Sequence, residues 1–130
     1  MGVRLTVAMG TPIGAISGVV LDTKDPHALA AFYERLLGWH RTQDEDDWVK
    51  LMPPAGETGL SFQLEAKHRS PVWPSGDAEQ MQVHLDFQVG DLAAATAHAV
   101  TAGATLAEWQ PQDDVRVMLD PDGHQFCLFL

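Results

Sequence analysis

An α+β domain built from two tandem βαβββ modules is the fold this sequence predicts, on three observations. A β-branched stretch followed by a capped helix occurs twice, within residues 16–37 and 81–102. Caps, terminators and closing strands of the two occurrences keep one order and a spacing of about 65 residues, as a duplicated unit does. Each helix is then followed by material for three short strands. A chain of 130 residues, 45% hydrophobic, can bury one sizeable core and is too short for two ordinary domains, so both modules are expected to share it.

Residues 1–13 carry no clear pattern and are taken as an arm, a short strand or a loose segment; the first module is placed at 14–66, a linker at 67–80 and the second module at 81–130. In the first module Ile16 to Asp22 reads as a strand, and Asp25-Pro26 supplies an N-cap followed by a residue preset for the first helical turn. Leu29, Phe32, Tyr33, Leu36 and Leu37 then recur at helical spacing as one apolar stripe, and Gly38 is placed to end it. Strands are expected at residues 39–43, 48–52 and 60–65, with an acidic turn at Asp44 to Asp47.

The linker is polar and proline-containing, long enough to carry the chain from one module to the next. Residues 81–89 read as the next strand, Asp91 as its helix cap, Leu92 to Ala102 as an Ala-rich helix and Gly103 as terminator. Strands follow at 104–110, 115–119 and 125–130, the last two joined by the turn Asp120-Pro-Asp-Gly123, in which Pro sets φ and Gly takes the positive-φ place.

Side chains two apart in a strand share a face, and that parity selects the candidate site. Val83, Leu85, Phe87 and Val89 would point to the helix, leaving His84, Asp86 and their neighbours on the other face. Leu60, Phe62 and Leu64 likewise oppose Gln63, and Phe126, Leu128 and Leu130 oppose Cys127 and Phe129. One arrangement lets these polar faces meet water, as in any half-exposed sheet. The other curls the two faces around a shared cleft in which Gln63, His84, Asp86 and Cys127 converge.

Composition excludes some partners. Eighteen acidic against eight basic residues give a formal charge of −10, which repels nucleic acid and anionic membrane surfaces. No stretch approaches the length of a membrane span, and no signal-peptide pattern is expected at the N-terminus. Cys127 is the only cysteine and cannot close an internal disulfide, which fits a reducing, cytoplasmic setting.

Taken together, Gly18-Val-Val-Leu21 through Asp25 to Leu37-Gly38, then Val83-His-Leu-Asp86 through Asp91 to Gly103-Ala104, and Asp120-Pro-Asp-Gly123, resemble the vicinal oxygen chelate superfamily. This is the glyoxalase, bleomycin-resistance and dioxygenase group, and the resemblance covers residues 14–130. It implies an incomplete mixed β-barrel around a cleft, with the helices on the outer face. It also implies metal-ligand positions at Gly18, Gln63, His84 and Cys127, of which only His84 is a good match, because glycine has no ligand atom and neutral Gln is a poor donor. No cofactor is therefore expected; a divalent metal, if bound, would use His84 with Gln63, with Asp86 or the Cys127 thiolate as further donors.

The resemblance further implies a cavity that holds a small organic molecule by stacking and hydrogen bonds. Trp48, Trp73, Trp109 and Phe129 could rim it, Trp73 being favoured because it stands on a loop, whereas Trp39 is expected in ordinary packing. Catalytic candidates are His84 and Asp86 as an acid–base pair, and Cys127 as a thiol, for which a buried inert state is favoured. The remaining histidines, His27, His40, His68, His98 and His124, share no spacing and are expected at the surface. The functions left open are metal-free ligand binding, a metal-dependent lyase, isomerase or dioxygenase, and a non-catalytic interaction module. A homodimer is expected, since family members commonly pair and open sheet edges invite pairing.

Overall fold

Each helix starts where a carboxylate captures an orphan amide: Asp25 Oδ1 accepts from the Ala28 N–H at 3.1 Å and Asp91 Oδ1 from the Ala94 N–H at 3.0 Å. Each ends at a glycine of positive φ, Gly38 at 70° and Gly103 at 125°, whose N–H closes on carbonyls of the last turn. The computed structural model, which describes residue 10 and residues 12–130, arranges the chain as β1 (Gly18–Thr23), α1 (Pro26–Leu37), β2 (His40–Glu45), β3 (Trp48–Met52), β4 (Gly59–Leu64), β5 (Leu85–Gln88), α2 (Leu92–Ala102), β6 (Thr105–Leu106), β7 (Val115–Leu119) and β8 (Gln125–Phe129). The arm expected over residues 1–13 lies outside the described residues except for positions 10, 12 and 13. No helix among the described residues is long and apolar enough to cross a membrane.

The modules form two four-stranded mixed sheets of the same plan, β1-β4-β3-β2 and β5-β8-β7-β6. In each, the first and last strands of the module run parallel, Asp22 beside Gln63 and Asp86 beside Cys127, and the other pairs are antiparallel. The duplication read from the spacing is thus a structural one.

Three expected strand ranges differ for local reasons. The strand expected at 104–110 is cut to Thr105–Leu106 because the Gln110 side chain takes over the edge of β7. Its amide donates to the carbonyls of Ala107 and Val117 at 2.9 and 2.8 Å and accepts from the Val117 N–H at 2.9 Å. The strand expected from residue 81 starts only at Leu85, since the Met81 N–H bonds instead to the Val72 carbonyl of the linker. β2 runs on to Glu45, which narrows the acidic turn to Asp46 and Asp47.

Each helix buries one side and exposes the other, α2 burying only Ala99 and Ala102. The apolar faces of both sheets and both helices share one core: Leu29, Phe32 and Tyr33 of α1, Phe62 of β4, Ala99 and Ala102 of α2, and Phe126 and Leu128 of β8. Tyr33 stacks on Phe62 with ring centroids 5.4 Å apart and meets Phe126 at 6.4 Å, so one side chain of α1 touches both sheets. Arg35 donates to the Ala102 carbonyl at 3.0 and 2.8 Å, and His98 Nε2 lies 3.0 Å from the Leu36 carbonyl, tying helix to helix. The helix-bearing faces of both sheets thus contribute to one core. Among the described residues no strand of one sheet pairs with a strand of the other, so the incomplete barrel implied by the resemblance is not joined by strand pairing within the chain.

One polar cluster crosses this arrangement. The buried Asp120 carboxylate accepts from Tyr33 Oη at 2.8 Å and, through Oδ1, from the Asp122 and His124 N–H groups at 2.9 and 3.0 Å. His124 Nδ1 is 2.8 Å from Asp120 Oδ2, and its Nε2 is 2.8 Å from the Asp22 carbonyl. Both ring nitrogens thus face acceptors, and only an imidazolium can donate at both. Burial pulls the His124 pKa down, but the hydrogen bond and charge of Asp120, the Asp22 carbonyl and the Asp122 charge together leave it above the ordinary value. With His68 stacked on it at 4.8 Å and its side chain only 12% exposed, His124 departs from its expected surface position and joins β1 to the second module. The Thr23 hydroxyl bonding to Asp122 reinforces the same junction.

Candidate functional site

On β5 and its parallel neighbour β8, strand parity puts Leu85, Phe87, Phe126 and Leu128 into the core and turns Asp86 and Cys127 away from it. Asp86 and Cys127 are direct partners in register, so their side chains stand side by side. His84, two residues before Asp86, shares that face, and its Nε2 is 3.1 Å from Asp86 Oδ1. Burial, followed by the charge of Asp86 and a hydrogen bond to it, pushes the Cys127 thiol up to about 11. At neutral pH this is a protonated thiol donating to a carboxylate, and it is no nucleophile.

The linker lays the Trp73 ring over this patch. The Gln125 amide donates to the Pro71 carbonyl at 2.9 Å, Ser70 Oγ donates to the Asp122 carbonyl at 2.8 Å, and Arg69 pairs with Glu79 at 2.6 Å. Held in this way, Trp73 stacks on the His84 ring at 4.7 Å with 23° between planes, and Trp109 meets Trp73 edge-on at 4.8 Å and 69°. Phe129, Val115 and Val117 form the floor on alternate positions of β8 and β7. The resulting open hollow is about 450 Å³, within the range that accepts a small organic molecule.

Of the residues singled out from sequence, His84, Asp86, Cys127, Trp73, Trp109 and Phe129 line this hollow. Gln63 and Trp48 do not. They are register partners on the helix-free face of the other sheet, where Gln63 Nε2 is 3.4 Å from Asp22 Oδ1 and Trp48 Nε1 donates to Gln43 at 2.6 Å. The hollow lined by His84 does not include Gln63, so the cleft expected to join the two is not found there. Trp39 packs against the core, as expected. Gln112 and Asp114 at the mouth were missed; they sit in a loop, where no periodicity assigns a facing direction. Leu130 also lines the hollow, because the strand ends at Phe129 and parity no longer governs it.

One ligand atom each from His84, Asp86 and Cys127 lies within 4.8 Å of the others. Imidazole, carboxylate and thiolate are a donor set suited to a zinc-class ion, and three protein ligands with an open side is the count of a catalytic site. Against it, the Cys127 proton would have to leave a thiol held near 11, and Asp86 is already engaged by both neighbours. Gln63 does not line the hollow that holds these three donors.

Residues 18–129 match the glyoxalase-like domain family. The chain belongs to that family. Solved structures of the glyoxalase-like fold agree with it. A glyoxalase/bleomycin resistance protein/dioxygenase family enzyme from Burkholderia phytofirmans PsJN superposes with a TM-score of 0.66 at 21% identity, covering 86% of this chain and 94% of that one. A glyoxalase family protein from Enterococcus faecalis gives 0.66 at 19% identity, over 91% and 98%. A possible glyoxalase from Bacillus cereus gives 0.67 at 13% identity, over 92% and 100%. No match was found among curated proteins. At these identities the likeness carries the fold, and the chemistry rests on the residues of this chain.

Proposed function

We propose that this glyoxalase-like domain binds a small organic ligand in the hollow of its second module and does so without a catalytic metal. The observation that carries the reading is the Trp73–Trp109 corner standing over His84, Asp86 and Cys127. Indole faces supply apolar contact at low entropy cost, and the polar groups beneath supply orientation. The ligand would lie against Phe129 and the valines of β7, with His84, Asp86 and Asp114 available to its polar groups. A thermal-shift series with aromatic amines, alcohols and acids tests this, with Trp109→Ala as control. A ligand present at 100 times its dissociation constant stabilises by about 2.7 kcal/mol. No shift with any probe would favour a non-catalytic interaction module instead.

A second reading is favoured by the proximity of the three donors: a divalent metal held by His84, Asp86 and Cys127, supporting lyase, isomerase or dioxygenase chemistry. When bound, such an ion would supply Lewis-acid activation. Titration with Ni, Zn, Fe and Mn, followed by elemental analysis and melting temperature, separates the two. Stoichiometric metal that is lost in His84→Ala would overturn the metal-free reading. We also propose a homodimer, since Val20 on the helix-free face of the first sheet is exposed in a single chain, and a reducing cytoplasmic setting, in keeping with the single unpaired cysteine. A monomer by light scattering at high concentration contradicts the dimer.

A further inference from the structure

Charge and shape in the hollow together select a class of ligand, an inference that rests on the ligand-binding reading above. Its lining includes two carboxylates, Asp86 and Asp114, and neither Lys nor Arg. Arg116, the basic residue adjacent to the lining strand positions, turns its guanidinium to the carbonyls of Asp113 and Val115 at 3.1 and 2.8 Å. Asp86 lies 3.1 Å from His84 Nε2 and beside the Cys127 thiol. Asp114, exposed at the mouth, enters none of the ion pairs among the described residues.

Aromatic walls strengthen the same preference. Trp73 and Trp109 meet nearly at right angles, and Phe129 adds a third ring to the lining. Ring faces carry negative potential, so a cation against them is attracted, whereas an anion is repelled by both rings and carboxylates. The formal charge of −10 raises the local concentration of any cation over the whole surface, but it gives no preference for this hollow over the rest.

We infer that the hollow takes an organic ammonium carrying a flat apolar group, its cationic head between Asp114 and the Trp73–Trp109 corner. An anionic ligand of the same shape is rejected. Binding would then combine ring contact with charge attraction, and the second term weakens as salt screens the exposed mouth.

Isothermal titration calorimetry with three matched probes tests this: 1-naphthylmethylammonium, 1-naphthylmethanol and 1-naphthoate. The ammonium is expected to bind roughly tenfold tighter than the alcohol, and the carboxylate weakest of the three. That preference narrows in Asp114→Asn and in high salt. Trp73→Ala keeps the net charge and removes a wall, so the preference should narrow there too. If it is unchanged in both Asp114→Asn and Trp73→Ala, the bulk charge is responsible and the assignment to the hollow fails. Alcohol or carboxylate binding as tightly as the ammonium overturns the charge inference while leaving ligand binding intact. If none of the three binds, the ligand-binding reading falls with it.

Discussion

Replacing Asp120 by asparagine removes one charge from the junction of the two modules and keeps the shape. In the native protein the carboxylate is fully buried and faces Tyr33 Oη, two backbone N–H groups and the His124 ring. Breaking a buried ion pair by removing one partner costs about 3–5 kcal/mol. A domain of this size has only about 5–15 kcal/mol in total. The cost depends on pH with a definite sign. His124 has a raised pKa in the fold, so its contribution is fully present below the unfolded value of about 6.5 and is lost as pH rises through the folded value. Urea unfolding of wild type and Asp120→Asn at intervals from about pH 6 to about pH 9 should show a difference that is largest at the acidic end and shrinks upward. A difference that is flat, or that grows with pH, would refute the argument that His124 is held as an imidazolium.

Further outcomes follow from other contacts. Tyr33→Phe removes a single hydrogen bond to a buried carboxylate and should cost about 1.5–3 kcal/mol in the same urea assay. Asp25→Ala and Asp91→Ala each lose a helix cap and should each cost about 1 kcal/mol, nearly additively because the caps lie in different modules. Cys127 should react far more slowly than free cysteine with a thiol reagent at pH 8, and should react faster in Asp86→Asn, which removes the second-largest cause of its raised pKa. A native rate equal to that of free cysteine would contradict the buried, hydrogen-bonded thiol.

The module plan was legible because it is local. Asp25, Asp91, Gly38 and Gly103 mark helix ends by chemistry that acts within one turn, and alternation on β8 assigns Phe126 inward and Cys127 outward without knowledge of the rest. That parity brought His84, Asp86 and Cys127 together correctly. It could not bring Gln63 to them or keep Gln63 away, because alternation says which residues share a face of one sheet and nothing about which way two sheets turn. Closing the sheets around a cleft or packing them helix to helix hides the same apolar side chains. His124 was misplaced for a similar reason: its acceptor on Asp22 is 102 residues away, and no spacing within the second module announces it. Trp73 was legible as a residue lining the hollow only through its loop setting, whereas Asp114 offered no such signal.

The ligand-binding claim stands or falls on where a ligand lands, and the four tryptophans report this directly. Indole N–H resonances should be followed during titration with 1-naphthylmethylammonium. Signals of Trp73 and Trp109 should move together and saturate at one ligand per chain, with those of Trp48 on the opposite sheet and Trp39 in the core unmoved. Movement of Trp48 alone, or of no indole at all at saturating probe, would contradict the account.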